Sequence, residues 1–188
     1  MKAPTIQERI LRVEELSHRA RISLDLWIAL NLDTAIAPYD KALDKFDDFW
    51  RFTRSAHESE FLIRITNLFI QDKRTANFVS VIADAKKSGA ITSSVAAACS
   101  IKIAELGDIP ERVALVRNKA MAHQHKLLKQ NEAFNEAQIT LKQMTKYSNV
   151  ALEISAILKK AIGLEPIVVE TQPAKTLKEL LQYLEDRL

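Results

Sequence analysis

The sequence predicts an all-α fold, on two observations. Apolar residues recur at three- and four-residue steps over most of its length, the period of one helix face. Only three glycines and five prolines stand among 188 residues, too few turn formers for the many reversals of an all-β chain. A chain of this length suits one domain with a sizeable core, and 47 % apolar residues is ordinary for one.

Residues 4–31 carry Ile6, Ile10, Val13, Leu16, Ala20, Leu24, Trp27 and Ile28 at helical spacing, with Glu8–Arg12 and Glu15–Arg19 as favourable i,i+4 pairs. His18 is a surface or edge residue, because no second histidine or cysteine stands at metal spacing from it. Pro38 ends or resets this helix. Residues 40–71 form a second long helix through Leu43, Phe46, Trp50, Thr53, His57, Phe61, Ile65, Leu68 and Phe69, with Arg54–Glu58 and Glu60–Arg64 as surface pairs.

After the polar stretch Gln71-Asp72-Lys73-Arg74-Thr75, a helix over 75–87 turns Phe78, Val79, Ile82 and Ala83 inward, and Gly89 follows as its C′ residue. Thr92 or Ser93 caps a helix over 93–106 that Gly107 closes. Its alanine-rich middle permits close helix packing. Asp108, Pro110 and Glu111 then start a helix over 109–124, with Val113, Val116, Ala120 and Met121 as its apolar stripe. A connection over 126–131 leads to a last long helix over 132–162, with Phe134, Ile139, Leu141, Met144, Val150, Ile154, Ile157 and Leu158 apolar. Gly163 ends it. Residues 164–173, with Ile167-Val168-Val169, are extended. A terminal helix over 176–188 shows Leu177, Leu180, Leu181 and Leu184 on one face, which docks on its own core or serves as a dimer arm.

Charge is mixed: 27 basic against 24 acidic residues, a net of +3. That balance does not announce nucleic acid, so any RNA site must be a local patch. The single cysteine, Cys99, reads as a small buried apolar residue, and a chain without an internal disulfide suits a reducing cytoplasm. The first residues lack the apolar run of a signal peptide, and no stretch approaches the ~20 apolar residues that span a bilayer. The expectation is a cytoplasmic protein that does not enter membranes. No phosphate-binding glycine loop or Cys/His metal cluster is present, so neither a metal nor another cofactor is expected.

The chemistry-bearing stretch is Arg117-Asn118-Lys119-Ala120-Met121-Ala122-His123-Gln124-His125-Lys126, where a helical pattern ends. Residues six apart on an ideal helix differ by ~120° in azimuth and ~9 Å along the axis, so Arg117 and His123 do not share a face as a metal pair would. Either both lie on a solvated face, or they meet their copies across a two-fold axis. His57, on the apolar side of its helix, is either a hydrogen-bonded core histidine or a group reaching toward this pair.

Arg-Asn-x-x-x-Ala-His at a helix end in an all-helical chain resembles the motif of the HEPN superfamily. The long first helix with Leu26-Trp27-Ile28-Ala29-Leu30, and the run Phe49-Trp50-Arg51-Phe52-Thr53-Arg54-Ser55-Ala56-His57, resemble its abortive-infection (AbiU-like) branch. The likeness spans about Ile6 to Leu158. It implies an up-down bundle of long antiparallel helices with shorter accessory helices over 1–163. Residues 164–188 would be a C-terminal tail on the bundle or a partner subunit. It also implies metal-independent RNA cleavage with the 2′-hydroxyl as nucleophile. His123 would be the acid/base group and Arg117 the phosphate-binding cation, with Asn118 orienting the histidine or a phosphate. Lys119, Lys126 and His125 would contact RNA, and His57 would support the site. A homodimer, an antitoxin partner and a role in phage defence belong to the same expectation. Some relatives carry a tyrosine two residues after the histidine, where an antitoxin transfers a nucleotide; here that place is His125. The alternative is a non-catalytic helical dimer that binds RNA, nucleotide or protein.

Overall fold

The longest helix, α1 (Ile6–Asn31), lies at the middle of the packing. Its start is set by a reciprocal cap: Glu8 Oε2 accepts the Thr5 backbone N–H at 2.7 Å while Thr5 Oγ1 accepts that of Glu8 at 3.2 Å. Arg12 therefore pairs with Glu15 rather than Glu8, and Glu15 also pairs with Arg19. The computed structural model describes residues 3–31, 36–70, 76–122, 130–166 and 172–188. Among them are nine α-helices, one short 3₁₀ turn and no strand, so the all-α expectation holds.

The helix expected over 40–71 is broken. After a 3₁₀ turn at Ala37–Tyr39, α2 covers Asp40–Lys45 and α3 covers Asp47–Phe69. Phe46, at φ −118 and ψ 33, stands between them. The ladder continues across it, from Phe46 N–H to the Ala42 carbonyl and from Trp50 N–H to that of Phe46. The Trp50 indole N–H also donates to the Ala42 carbonyl at 3.2 Å. A side chain sharing a ladder acceptor is a physical cause of a kink.

Helix α4 (Phe78–Lys87) starts at Asn77, whose side chain accepts from the Ser80 N–H. It buries Phe78, Val81, Ile82 and Ala85. Val79 is only half-buried and Ala83 is exposed, so the expected inward stripe is rotated. Thr92 caps α5 (Ser93–Ala104), which buries Ala96 and Cys99. Next comes α6 (Ile109–Ala122).

The helix expected over 132–162 is also two. Helix α7 (Gln130–Ala137) ends at Gln138, at φ +48, and α8 (Leu141–Ala161) restarts with a capping box between Thr140 and Gln143. Leu141, counted among the apolar residues of that helix, is exposed there. Gly163, at φ +76, terminates α8 in a left-handed conformation that favours glycine. The expected extension over Ile167-Val168-Val169 lies outside the described residues. Helix α9 (Pro173–Glu185) packs on α1 and α2 through buried Leu177 and Leu181, while Leu180 is exposed. Glu185 Oε2 accepts the Ala42 N–H at 2.9 Å, which ties the tail to α2.

Contacts fix the direction of the long helices. Glu14 meets Lys159, Ser17 meets Ser155 and Arg21 meets Asn149, so α1 and α8 run antiparallel. Trp50 shares a cluster with Ala29 and Leu30, whereas Arg64 acts electrostatically on Glu15, so α3 also opposes α1. The main core draws on α1 and α3–α8. A smaller one joins the C-terminal end of α1, Trp50, Leu177 and Leu181. Among the described residues, no helix is long and apolar enough to cross a membrane.

Candidate functional site

Helix α6 carries Arg117, Asn118 and Lys119 in its later turns, with Asn118 exposed and Arg117 and Lys119 half-buried at the edges of its core face. Val113 and Val116 are fully buried and hold it against the main core, and it packs along α3 and α7. Arg112 fastens it to the end of α7: Nε donates to the Ala137 carbonyl at 2.7 Å, Nη2 donates to that of Gln138, and Nη1 lies 3.6 Å from the Asp108 carboxylate. These bonds meet carbonyls freed where α7 stops.

Arg117 is half-buried. Its Nε and Nη2 both donate to Asn118 Oδ1, at 3.1 and 2.7 Å. A neutral amide orients the guanidinium without neutralising it, and no carboxylate pairs with Arg117 among the described residues. Asn118, expected to orient the histidine or a phosphate, is engaged with the arginine. Lys119 pairs with Glu136 of α7, so its charge is partly compensated, whereas Arg117 has no such partner among the described residues. The expected partners His123, His125 and Lys126 lie outside the described residues, beginning at the residue after α6.

Tyr147 of α8 lies within electrostatic reach of Arg117. It is fully buried, packs on Phe69 at 4.6 Å between ring centroids, and its hydroxyl has no hydrogen-bond partner among the described residues. Burial pushes this phenol far above its ordinary pKa; Glu111 adds to the rise and Arg117 opposes it. Tyr147 therefore stays neutral and contributes a packed ring beneath α6.

His57, on α3, is half-buried. Burial lowers its pKa, against the charge of Glu60, which favours the neutral imidazole. No hydrogen bond joins it to Arg117 among the described residues. Nearby, Arg64 pairs with Glu60 as expected, but Glu58 is buried and Arg54 Nε is buried without a hydrogen-bond partner among the described residues.

A second polar cluster, between α1 and α8, did not emerge from the sequence. Lys159 Nζ lies 2.8 Å from Glu14 Oε2, both buried, and Ser17 and Ser155 hydrogen-bond at 2.9 Å one turn away. The readable signal was Glu14 itself, four residues after Ile10 on the apolar stripe. His18 borders this cluster; burial lowers its pKa, Lys159 reinforces that and Glu14 opposes it. Burial likewise raises the Cys99 thiol to about 11, which keeps it protonated and unreactive.

Two grooves mark the surface elsewhere. One of about 610 Å³ between α5 and α8 is lined by Lys102, Lys146 and Glu153 among others. One of about 460 Å³ between α4 and α5 is lined mainly by Val79, Ile82, Ala97 and Ile103. Neither includes Arg117. Among the described residues, no three His, Cys, Asp or Glu side chains converge as metal ligands would. No protein-family model, curated protein or solved structure matches the chain.

Proposed function

We propose that the chain is a HEPN-type ribonuclease that cleaves RNA at Arg117 and His123 without a metal. The observation that carries the reading is the state of Arg117: half-buried on α6, oriented by Asn118, and without a carboxylate among the described residues. A guanidinium oriented by a neutral amide, with no carboxylate on it among the described residues, suits a phosphate, to which it offers two donors. His123 follows the described end of the same helix.

In this reaction the RNA 2′-oxygen attacks the adjacent phosphorus and the bond from phosphorus to the 5′-oxygen breaks. A base removes the 2′-proton and an acid protonates the departing oxygen, leaving a 2′,3′-cyclic phosphate and a 5′-hydroxyl. An imidazole titrates near neutrality and serves either step. Arg117 would stabilise the charge that builds on the phosphoryl oxygens. Two copies facing each other would supply two imidazoles, so the proposal includes a homodimer. Lys119, once released from Glu136, with Lys126 and His125, would hold the RNA backbone. His57 would support the site from α3. An antitoxin partner and a defence role against phage extend the same reading.

The test is cleavage of single-stranded RNA in a chelating buffer, with analysis of the product ends. Wild type should release cyclic-phosphate ends. His123→Ala should lose about 10²–10⁴-fold in rate and Arg117→Ala about 10²–10³-fold, both with unchanged helicity. Equal background from wild type and His123→Ala on several RNAs removes the enzyme reading. RNA binding that survives in both would then favour the non-catalytic dimer.

A further inference from the structure

The last helix is held apart from the rest of the fold. None of the described residues of α9 belongs to the main core. Its buried side chains, Leu177 and Leu181, fill the smaller cluster with Ala29, Leu30 and Trp50, and Ala174 and Leu184 pack at the edge. These four α9 residues stand at steps of three, four and three, a narrow seam on one side of the helix. Among the described residues, one hydrogen bond joins α9 to the bundle, from the Ala42 N–H to Glu185 Oε2 at 2.9 Å. The start of α9 has no side-chain cap.

Such an element opens before the core does. The 13 residues of α9 would form a marginal helix alone in water, so docking keeps them helical. An element with few buried contacts opens locally at a lower free energy than global unfolding. Leu30 and Trp50, 0 % and 2 % exposed with α9 in place, lose part of their cover when it leaves. With Tyr39 and Leu43 they line an apolar cradle. Ala42 carries the opening further: its N–H holds Glu185, and its carbonyl accepts the Trp50 indole at 3.2 Å.

We infer that α9 is a displaceable strap, occupying in cis a cradle that takes a helix of a partner protein. The pattern of that helix is leucine, leucine four residues on, and an acidic residue four further. Helix α9 itself displays what the cradle recognises, because Leu177, Leu181 and Glu185 follow this spacing and all three are engaged. Grooves that bind helices read such anchors on one face. The two leucines supply the apolar contact, and the carboxylate fixes the register at Ala42. This inference does not rest on the ribonuclease reading, and its test does not use activity.

The test is hydrogen exchange of the full chain, joined to binding of a fluorescein-labelled peptide of residues 172–188. Amides of α9 should exchange together and at least tenfold faster than those of α8. Leu181→Ser should speed α9 exchange a further tenfold or more and leave α8 unchanged. In a Trp27→Phe background, where Trp50 is the one tryptophan left, the same substitution should raise acrylamide quenching. The peptide should bind Leu181→Ser chain at least tenfold tighter than wild type, whose own α9 competes. A peptide that itself carries Leu181→Ser should not bind, and one with Glu185→Gln should bind more weakly. Exchange of α9 and α8 at one common rate overturns the inference, as does loss of α8 protection in Leu181→Ser. So does equal binding of the peptide to both chains, or to neither. Protection of α9 that rises with chain concentration would give the cradle to a second copy and overturn it too.

Discussion

Lys159 and Arg117 are both cations on helices of the main core, and their surroundings are opposite. Lys159 is buried between α8 and α1 and lies 2.8 Å from the Glu14 carboxylate, itself buried. Arg117 is half-buried beside the core face of α6 and rests on the amide of Asn118. A buried ammonium is tolerable only with its counter-charge, because desolvating a lone ion costs several kcal/mol. A half-buried guanidinium with no carboxylate on it among the described residues keeps most of its attraction for an incoming anion. A structural cation is spent on its own fold, whereas the cation proposed here for function is held in place by a neutral amide.

Breaking the buried pair should have the largest effect on stability. Lys159→Met leaves the Glu14 carboxylate buried without this ammonium and should cost about 3–5 kcal/mol, read by urea denaturation. A cost near zero would mean that water reaches the cluster. Removing the Thr140 cap at the α7–α8 break by Thr140→Ala should cost about 1 kcal/mol. Lys119→Ala breaks a partly exposed ion pair with Glu136 and should cost less than about 1 kcal/mol. Arg117→Met should stay within about 0.5 kcal/mol of wild type, because the bonds it loses among the described residues are exposed ones to Asn118.

Acidification probes the same contrast at smaller scale. His18 and His57 have pKa values below the ordinary 6.5, chiefly through burial. Between 6.5 and these lowered values the unfolded chain binds protons that the folded one refuses. Stability is therefore full above about pH 6.5 and falls as pH drops through the folded values. His18→Asn should flatten part of that slope in urea denaturation between pH 7 and pH 5. An unchanged slope would separate His18 from the buried pair.

The long helices were legible because their apolar stripes run unbroken. Their interruptions were not equally so. The break at Gln138 had a signature, Thr140 followed three residues later by Gln143, that the periodic pattern of 132–162 masked. The kink at Phe46 had none: neither glycine nor proline stands there, and its cause is an indole that reaches back to a carbonyl. Glu14 on the stripe of α1 marked a buried charge, but its partner is 145 positions away and follows only from the antiparallel register. At the candidate site the sequence placed Arg117 on a helix outside the core stripe. The grip of Asn118 was hidden, since adjacent helical residues do not ordinarily face each other.

The most direct test measures RNA cleavage and thermal unfolding on the same preparations of wild type, Arg117→Met and Lys159→Met. Arg117→Met should keep the wild-type midpoint and lose cleavage, while Lys159→Met should melt several degrees lower and, where still folded, cleave at the wild-type rate. If Arg117→Met cleaves as wild type does, or melts as low as Lys159→Met, then Arg117 is not the cation reserved for function.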